Sequence, residues 1–341
     1  MPRITPTTCG RCCMPIKVIK PGLATSVQDT GREGYYHLGI PPSGGMDDYA
    51  LRMANLLVGN GESAAALEIT LIGPELAFGK EVLVAVTGAR MTPRLDGAEM
   101  PLDTAFRVKP GQVLKFDFAK TGCRSYLAVA GGIDVPLALG SRSTYTLGAL
   151  GGWEGRRLQE GDQLPIGEPT GVGAEGAQAP VALCPHFEKE VTLRLVRGLY
   201  IHRLTDAAAA QFFADTWRVG TEADRIGYRL KGGKPLEYLP RKPPFGAGSD
   251  PSNIVDACYP IGSVQVPGGL EPIILLRDAV SGGGYMTLGT VISADLDRVA
   301  QLQPHHQVRF VPVSLEEALA ARRQYQQRLA RLRDWIGRQT A

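Results

Sequence analysis

The stretch Ser26–Ala50, SVQDTGREGYYHLGIPPSGGMDDYA, sets Gln28, Asp29, Arg32, Ser43, Asp47 and Asp48 among glycines and prolines. It ends where a helix can start. Asp47 is placed to cap DYALRMANLLVG, in which Leu51, Ala54 and Val58 share one face and Gly59 stops the run. As a helix entry, the segment needs only its last few residues, with Asp47 and Asp48 favoured at the positive end of the dipole. More than twenty polar, glycine-rich residues is long for that purpose. A capped helix that faces a cleft also makes an anion site, so both readings stay open at this point.

The bulk numbers limit what can surround it. A chain of 341 residues is long for one core, and two domains are expected. Gly 42 and Pro 25 are about a fifth of the chain, which favours short strands, turns and functional loops. A net charge of +3 gives no case for nucleic-acid binding. No apolar run is long enough to span a membrane, and the N-terminus lacks a secretory apolar core, so a cytoplasmic protein is expected. Three of the six cysteines fall in CGRCC, Cys9–Cys13. No second C-x-x-C or H-x3-H accompanies them, so no metal site is assigned, and residues 1–15 are expected to be a disordered tail.

Strand signals dominate the rest. PIKVIK, ELAFGKEVLVAVTGA, FRVKPGQVLKFDF, RSYLAVAGGI, VTLRLVRG, GSVQVP, EPIILLRD and HQVRFVPV are short and closely spaced. They predict a mainly β protein of barrels or sandwiches with few helices. Thr205 can cap DAAAAQFFADTW. Ser314 and Glu317 form a capping box ahead of a C-terminal helix over 314–341. Its stripe Leu315, Leu319, Leu329, Leu332 and Ile336 suits either a partner-binding helix or, the reading preferred here, a helix lying on its own barrel with the arginines in solvent. Residues 167–190 lack periodicity and are rich in Gly, Ala and Pro, so they read as a linker between halves at 16–166 and 191–313.

Five polar clusters could carry chemistry. They are the opening stretch, residues 139–162 (LGSRSTYTLGALGGWEGRRLQEGD), 222–230 (EADRIGYRL), 261–304, and the insert 241–260. Glycine lets backbone N–H groups approach a ligand, and arginine forks onto carboxylates and phosphates. Such a set suits carboxylates, amides and phosphoryl groups. A helix start, a barrel corner at 281–285 and a surface turn at 222–230 remain the plain structural alternatives. The long 139–162 loop is harder to explain structurally. No phosphate loop, dinucleotide fingerprint or nucleophile elbow occurs, and no Met-Lys-Met tripeptide marks a biotin carrier.

VIKPGLATSVQDTGREGYYHLGIPPSGGMDDYALRMANLLVGN, followed by ALEIT, VAVTGA, YLAVAGGIDVP, the 139–162 loop, DRIGYRL and the 261–304 stretch, resembles the biotin-dependent carboxyltransferase family. That family includes the C subunit of prokaryotic 5-oxoprolinase, allophanate hydrolase subunit 2-like proteins, and the second half of the carboxyltransferase region of urea amidolyase. The resemblance covers roughly residues 16–313. It implies two cyclophilin-like β-barrel domains and a companion subunit of related fold. In 5-oxoprolinase it also implies a third, lactam-utilisation subunit, with ATP and Mg acting at the level of the complex.

Two reactions are compatible with the resemblance: ATP-driven hydrolysis of a lactam such as 5-oxoproline, and carboxyl transfer from biotin, carried by a partner, to a small amide or urea. A third class is a regulatory protein-binding module. On the family's motif positions, Asp29, Asp47, Asp278 and Arg142 are the candidate catalytic residues. Arg225 and Arg277 join the donors, with the backbone of Gly44, Gly45, Gly282, Gly283 and Gly284. Gln28, Gln265 and Gln301 are candidates to bond an amide plane, and Arg32 and Tyr285 complete the binding set. The expectation is that these distant segments line one pocket. The 241–260 insert and RDAVSGGGY depart from the family pattern and weaken the 5-oxoproline assignment.

Overall fold

The computed structural model describes residues 15–340 except residue 243. The tail and its cysteines lie outside the described residues. The fold is mainly β, with four α-helices among the described residues: α1 (Asp48–Leu57), α2 (Asp206–Ala214), α3 (Leu296–Ala300) and α4 (Leu315–Thr340).

In the first half, two antiparallel sheets close over one core. The inner order of one sheet is Ile16–Lys20, Glu75–Phe78, Val113–Phe116 and Pro93–Leu95, with two-residue strands at its edges. The other runs Ala24–Gln28, Ala66–Thr70, Arg124–Val129, Val82–Gly88, Ala105–Val108. Strand alternation separates its two faces. Leu67, Ile69, Val84, Val86, Leu127 and Val129 point into the core between the sheets. Ala66, Ala85, Tyr126 and Ala128 point the other way, against α1. Glu68 takes its position from this alternation: the register pairs it with Ser26 on one side and Tyr126 on the other, on the helix-facing side.

The second half is a closed barrel. Its seven strands, in ring order, are Glu190–Arg197, Thr287–Val291, Ser263–Gln265, Ile273–Leu275, Gly227–Lys231, Trp217–Ala223 and Gln307–Val313. The ring closes through a parallel pair, Glu190↔Gln307 to Val196↔Val313. The helix α2, capped by Thr205 Oγ1 accepting from Ala208 N at 3.1 Å, sends Phe212 into the barrel core. There Phe212 stacks on Phe310, ring centroids 4.9 Å apart. A separate ribbon, Asn253–Cys258 with Gly282–Tyr285, stands outside the ring.

Residues 167–190, read as a linker, pack along the first half. Ala177, Ala179 and Leu183 are buried against α1, and Leu183 O accepts from Tyr49 Oη at 2.9 Å. The α4 helix starts with the expected capping box: Ser314 Oγ accepts from Glu317 N at 3.2 Å, and Glu317 Oε2 from Ser314 N at 2.7 Å. Its apolar stripe docks differently from expectation. Leu329, Leu332 and Ile336 join the cluster around α1 in the first half, whereas Leu315 and Leu319 stay exposed. The helix leaves the second barrel and returns to the first half because α1 already presents Tyr49, Met53 and Leu57 as an apolar face.

This packing separates the two ends of α4 energetically. Leu332→Ala, at a fully buried position, is expected to cost about 2–4 kcal/mol in denaturant unfolding. Leu319→Ala, at a position 44% exposed, should stay within about 0.5 kcal/mol of wild type. Equal effects would contradict the docking of α4 on α1.

Candidate active site between the halves

A cleft lies where the two halves meet. It holds about 600 Å³ and is lined from the first half by Ser26, Glu68, Arg124 and the 145–147 loop, and from the second by Thr221, Ala223–Ile226, Tyr228 and Asp278. At its floor sits a charge network. Glu68, 1% exposed, accepts from Met46 N at 2.8 Å and Tyr126 Oη at 2.7 Å through Oε2. Its Oε1 accepts from Arg225 Nη1 at 2.7 Å. Arg225 forks onto Asp278, with Nε–Oδ2 at 2.8 Å and Nη2–Oδ1 at 3.1 Å, and Nη2 also donates to Gly44 O at 2.8 Å. Burial opposes ionisation of Glu68 most strongly, yet Arg225, then Arg124, and the two hydrogen-bond donors hold its carboxyl below the usual range. Burial works against the charge of Arg225 too, but Asp278 and Glu68 raise it above the ordinary guanidinium value.

A second tie runs beside the first. Arg124 Nη1 donates to Tyr228 Oη and to Ala300 O, the latter at 2.7 Å. Gln301 Oε1 accepts from Cys123 N at 2.8 Å and Arg124 N at 3.0 Å, while Nε2 donates to Asp47 Oδ2 at 2.7 Å and Arg124 O at 2.9 Å. Asp47 caps α1, with Oδ1 accepting from Ala50 N at 2.9 Å. Asp297 of α3 caps the same helix end from the second half, accepting from Asp48 N at 2.9 Å and from Tyr325 Oη of α4 at 2.8 Å. Desolvation first, then the neighbouring Asp48, pushes Asp297 up to about 6. Asp47 is raised as well, by burial and then by Asp297.

The candidate residues therefore separate. Of the catalytic and binding set, Arg225 and Asp278 line the cleft, and Gly44 O touches Arg225 there. Asp47 and Gln301 line a neighbouring pocket of about 220 Å³ with Tyr49, Asp297 and Tyr325. Asp29 is saturated: it accepts from Gly31 N, Ser141 Oγ and Ser143 Oγ through Oδ1 and from Arg142 N through Oδ2, which fastens the 139–162 loop to the opening stretch. Arg142 turns outward to Asp134 at 2.8 Å and Val135 O at 2.7 Å. Gln28 Nε2 donates to Ser26 Oγ and Thr144 O, and Gly45 N donates to Asp29 O.

Arg32 is buried, bonded through Nη2 to Ser143 O, with Nε and Nη1 unpartnered; burial lowers it. Gln265 lies buried in a barrel strand. Arg277 O accepts from Ser43 N at 3.1 Å, and its side chain borders a groove with Asp297.

The glycine run needs correction. Gly282, Gly283, Gly284 and Tyr285 were expected in a donor loop at the pocket, but they form a strand of the outer ribbon. Gly283 pairs with Ala257, and a Cβ there would meet the Tyr259 ring at 3.1 Å, so this glycine serves close packing of the ribbon rather than the cleft. Asp47, Arg142 and Gly283 thus share no pocket, and the expectation of one cavity lined by all three segments is not met. Glu68, Arg124, Tyr126 and Tyr228 were missed by the sequence reading. The signal for Glu68 is a lone carboxylate in the otherwise uncharged ALEIT, flanked by Leu67 and Ile69, a placement that demands a buried partner.

This pair of packed β halves has counterparts among known proteins. The family model described as carboxyltransferase domain, subdomain A and B, matches residues 38–312, and the chain belongs to this family. Urea amidolyase of Saccharomyces cerevisiae is 38% identical over 311 residues, 89% of this chain but 17% of that protein. The 5-oxoprolinase C subunit of Escherichia coli is 39% identical over 311 residues, covering 91% of this chain and 95% of that one. Among solved structures, the urea carboxylase of Kluyveromyces lactis superimposes with a TM-score of 0.88 and 36% identity, over 95% of this chain and 30% of that one. The chain thus corresponds to a small part of the urea-metabolising relatives.

Two outcomes follow from the network. Arg225→Ala leaves Glu68 and Asp278 buried without their cation and is expected to cost about 3–5 kcal/mol in chemical denaturation; a change under about 1 kcal/mol would mean the ties do not form. Asp297 has a folded pKa raised from 3.8 to about 6, so its contribution is present below about pH 4 and is lost as pH rises through 6. Asp297→Asn should therefore gain on the order of 1–2 kcal/mol relative to wild type between about pH 4 and pH 7. A pH-independent difference would refute that assignment.

Proposed function

We propose that this chain is a subunit of an ATP-dependent hydrolase of the 5-oxoprolinase type, acting on a small lactam or amide. The observation that carries this reading is the near end-to-end match with a 5-oxoprolinase subunit, 91% of one chain against 95% of the other. The cleft is consistent with it. Its floor is charge-compensated and held by both halves, and Tyr145, Thr146 and Thr221 add side-chain hydroxyls around it. Fixed donors of this kind favour an amide oxygen as it gains negative charge. A companion subunit of related fold, and a third, lactam-utilisation subunit, would supply ATP with Mg in the complex. The relatives' chemistry and the lack of a membrane-length apolar helix among the described residues fit a cytoplasmic setting.

A second reading has its own support. The structural match to urea carboxylase covers 95% of the chain at a TM-score of 0.88, which favours a carboxyltransferase component that receives biotin from a partner. Reconstitution with the companion subunits separates the two. The first reading expects 5-oxoproline-dependent ATP hydrolysis with release of glutamate, insensitive to avidin. Urea- or amide-dependent ATP turnover abolished by avidin would replace it with the second.

A further inference from the structure

We infer that Arg157 is the specificity-determining residue of the cleft and that it grips a carboxylate on the substrate; this rests on the cleft being the substrate site of the proposed hydrolase. Three arginines line the cleft: Arg124, Arg157 and Arg225. Arg225 is spent on Glu68, Asp278 and Gly44 O. Arg124 is spent on Tyr228 and Ala300 O and lies 3.6 Å from Glu68. Neither can release its partners without leaving a buried charge unpaired.

Arg157 is different. Its guanidinium makes no ion pair or hydrogen bond with any described residue, and it is exposed at the cleft wall. The contrast with its neighbour is direct: Arg156 is pinned by Asp162 at 2.8 and 2.9 Å and by Glu154 at 2.7 Å. Of two adjacent arginines on one loop, one fastens the loop and the other is left over for the cleft. Asp224, the remaining acid of the lining, accepts through Oδ1 from Ile226 N and Gly227 N and so closes its own turn. Arg157 is therefore the cleft cation with all its donors unspent. A guanidinium recognises a carboxylate with two parallel charge-assisted bonds. A lactam that carries a carboxylate fits this wall, and urea, which has none, does not use it.

The test compares 5-oxoproline with 2-pyrrolidinone, the same lactam ring without the carboxylate. Binding to the full chain and turnover by the reconstituted complex are measured for wild type, Arg157→Gln and Arg157→Lys. Arg157→Gln is expected to raise KM and the dissociation constant for 5-oxoproline about tenfold or more with kcat little changed. It should leave 2-pyrrolidinone unaffected, and Arg157→Lys should recover part of the loss. Equal effects on both lactams, no effect on either, or no binding of 5-oxoproline by chain and complex overturns the inference. Binding that depends on Arg157 without ATP turnover would leave it standing and remove the hydrolase reading instead.

Discussion

The structure depends on one side chain, Arg225, which projects from the second barrel into the first half and is shared by two carboxylates. Its partners, Glu68 and Asp278, come from different halves. Withdrawing three charges from water is costly and is offset only while all three are together with their hydrogen bonds complete. That condition couples the halves. Moving the second barrel away from the sheet would strand Glu68 in the middle of its strand, between Ser26 and Tyr126 in the register. The cleft is consequently a built feature whose floor is fixed before any guest arrives.

The short helix α3 applies the same logic without a full ion pair. Gln301, just past its end, satisfies both ends of its amide on the strand edge at Cys123–Arg124 and on Asp47. The approach is tight enough that a Cβ on Gly122 would meet Gln301 Oε1 at 2.8 Å, and Gly122 also has φ of +74°. Asp297, earlier on α3, caps α1 in the other half. Five residues of helix thus fix the entry of α1, and α4 joins the same point through Tyr325. The joint is completed by three elements distant in sequence.

This explains what could and could not be read from the sequence. Local devices were readable because their donors and acceptors lie within a few residues: the Asp47 and Thr205 caps, the Ser314–Glu317 box, the alternating strands. The long opening stretch was noticed for its polarity, but its purpose is set by partners more than a hundred residues away. Asp29 and Arg32 close onto Ser141–Ser143, and Gly44 onto Arg225. Asp29 was a catalytic candidate on its motif position; only the fold shows it bonded four times over. Likewise, nothing local in SGGGY reveals that its partner strand is the 253–258 part of the insert. Glu68 went unread because a strand sequence does not disclose which carboxylate an arginine from another barrel will reach.

Arginine placement, more than acid placement, decides the chemistry of this joint. Asp47 and Glu68 lie close together and are both withdrawn from solvent, and both touch Tyr126, one through its backbone N–H and one through its carboxylate. They are nevertheless driven in opposite directions. Glu68, reached by two guanidiniums, is held ionised, whereas Asp47, met by the Gln301 amide and facing Asp297, is pushed toward its neutral form. A cleft floor made of the first kind of carboxylate stays ionised and already paired, so it gives a guest no spare charge to bind. Charge recognition then has to come from the wall, where the only unspent guanidinium among the described lining residues is on the 139–162 loop, the segment that Asp29 fastens in place.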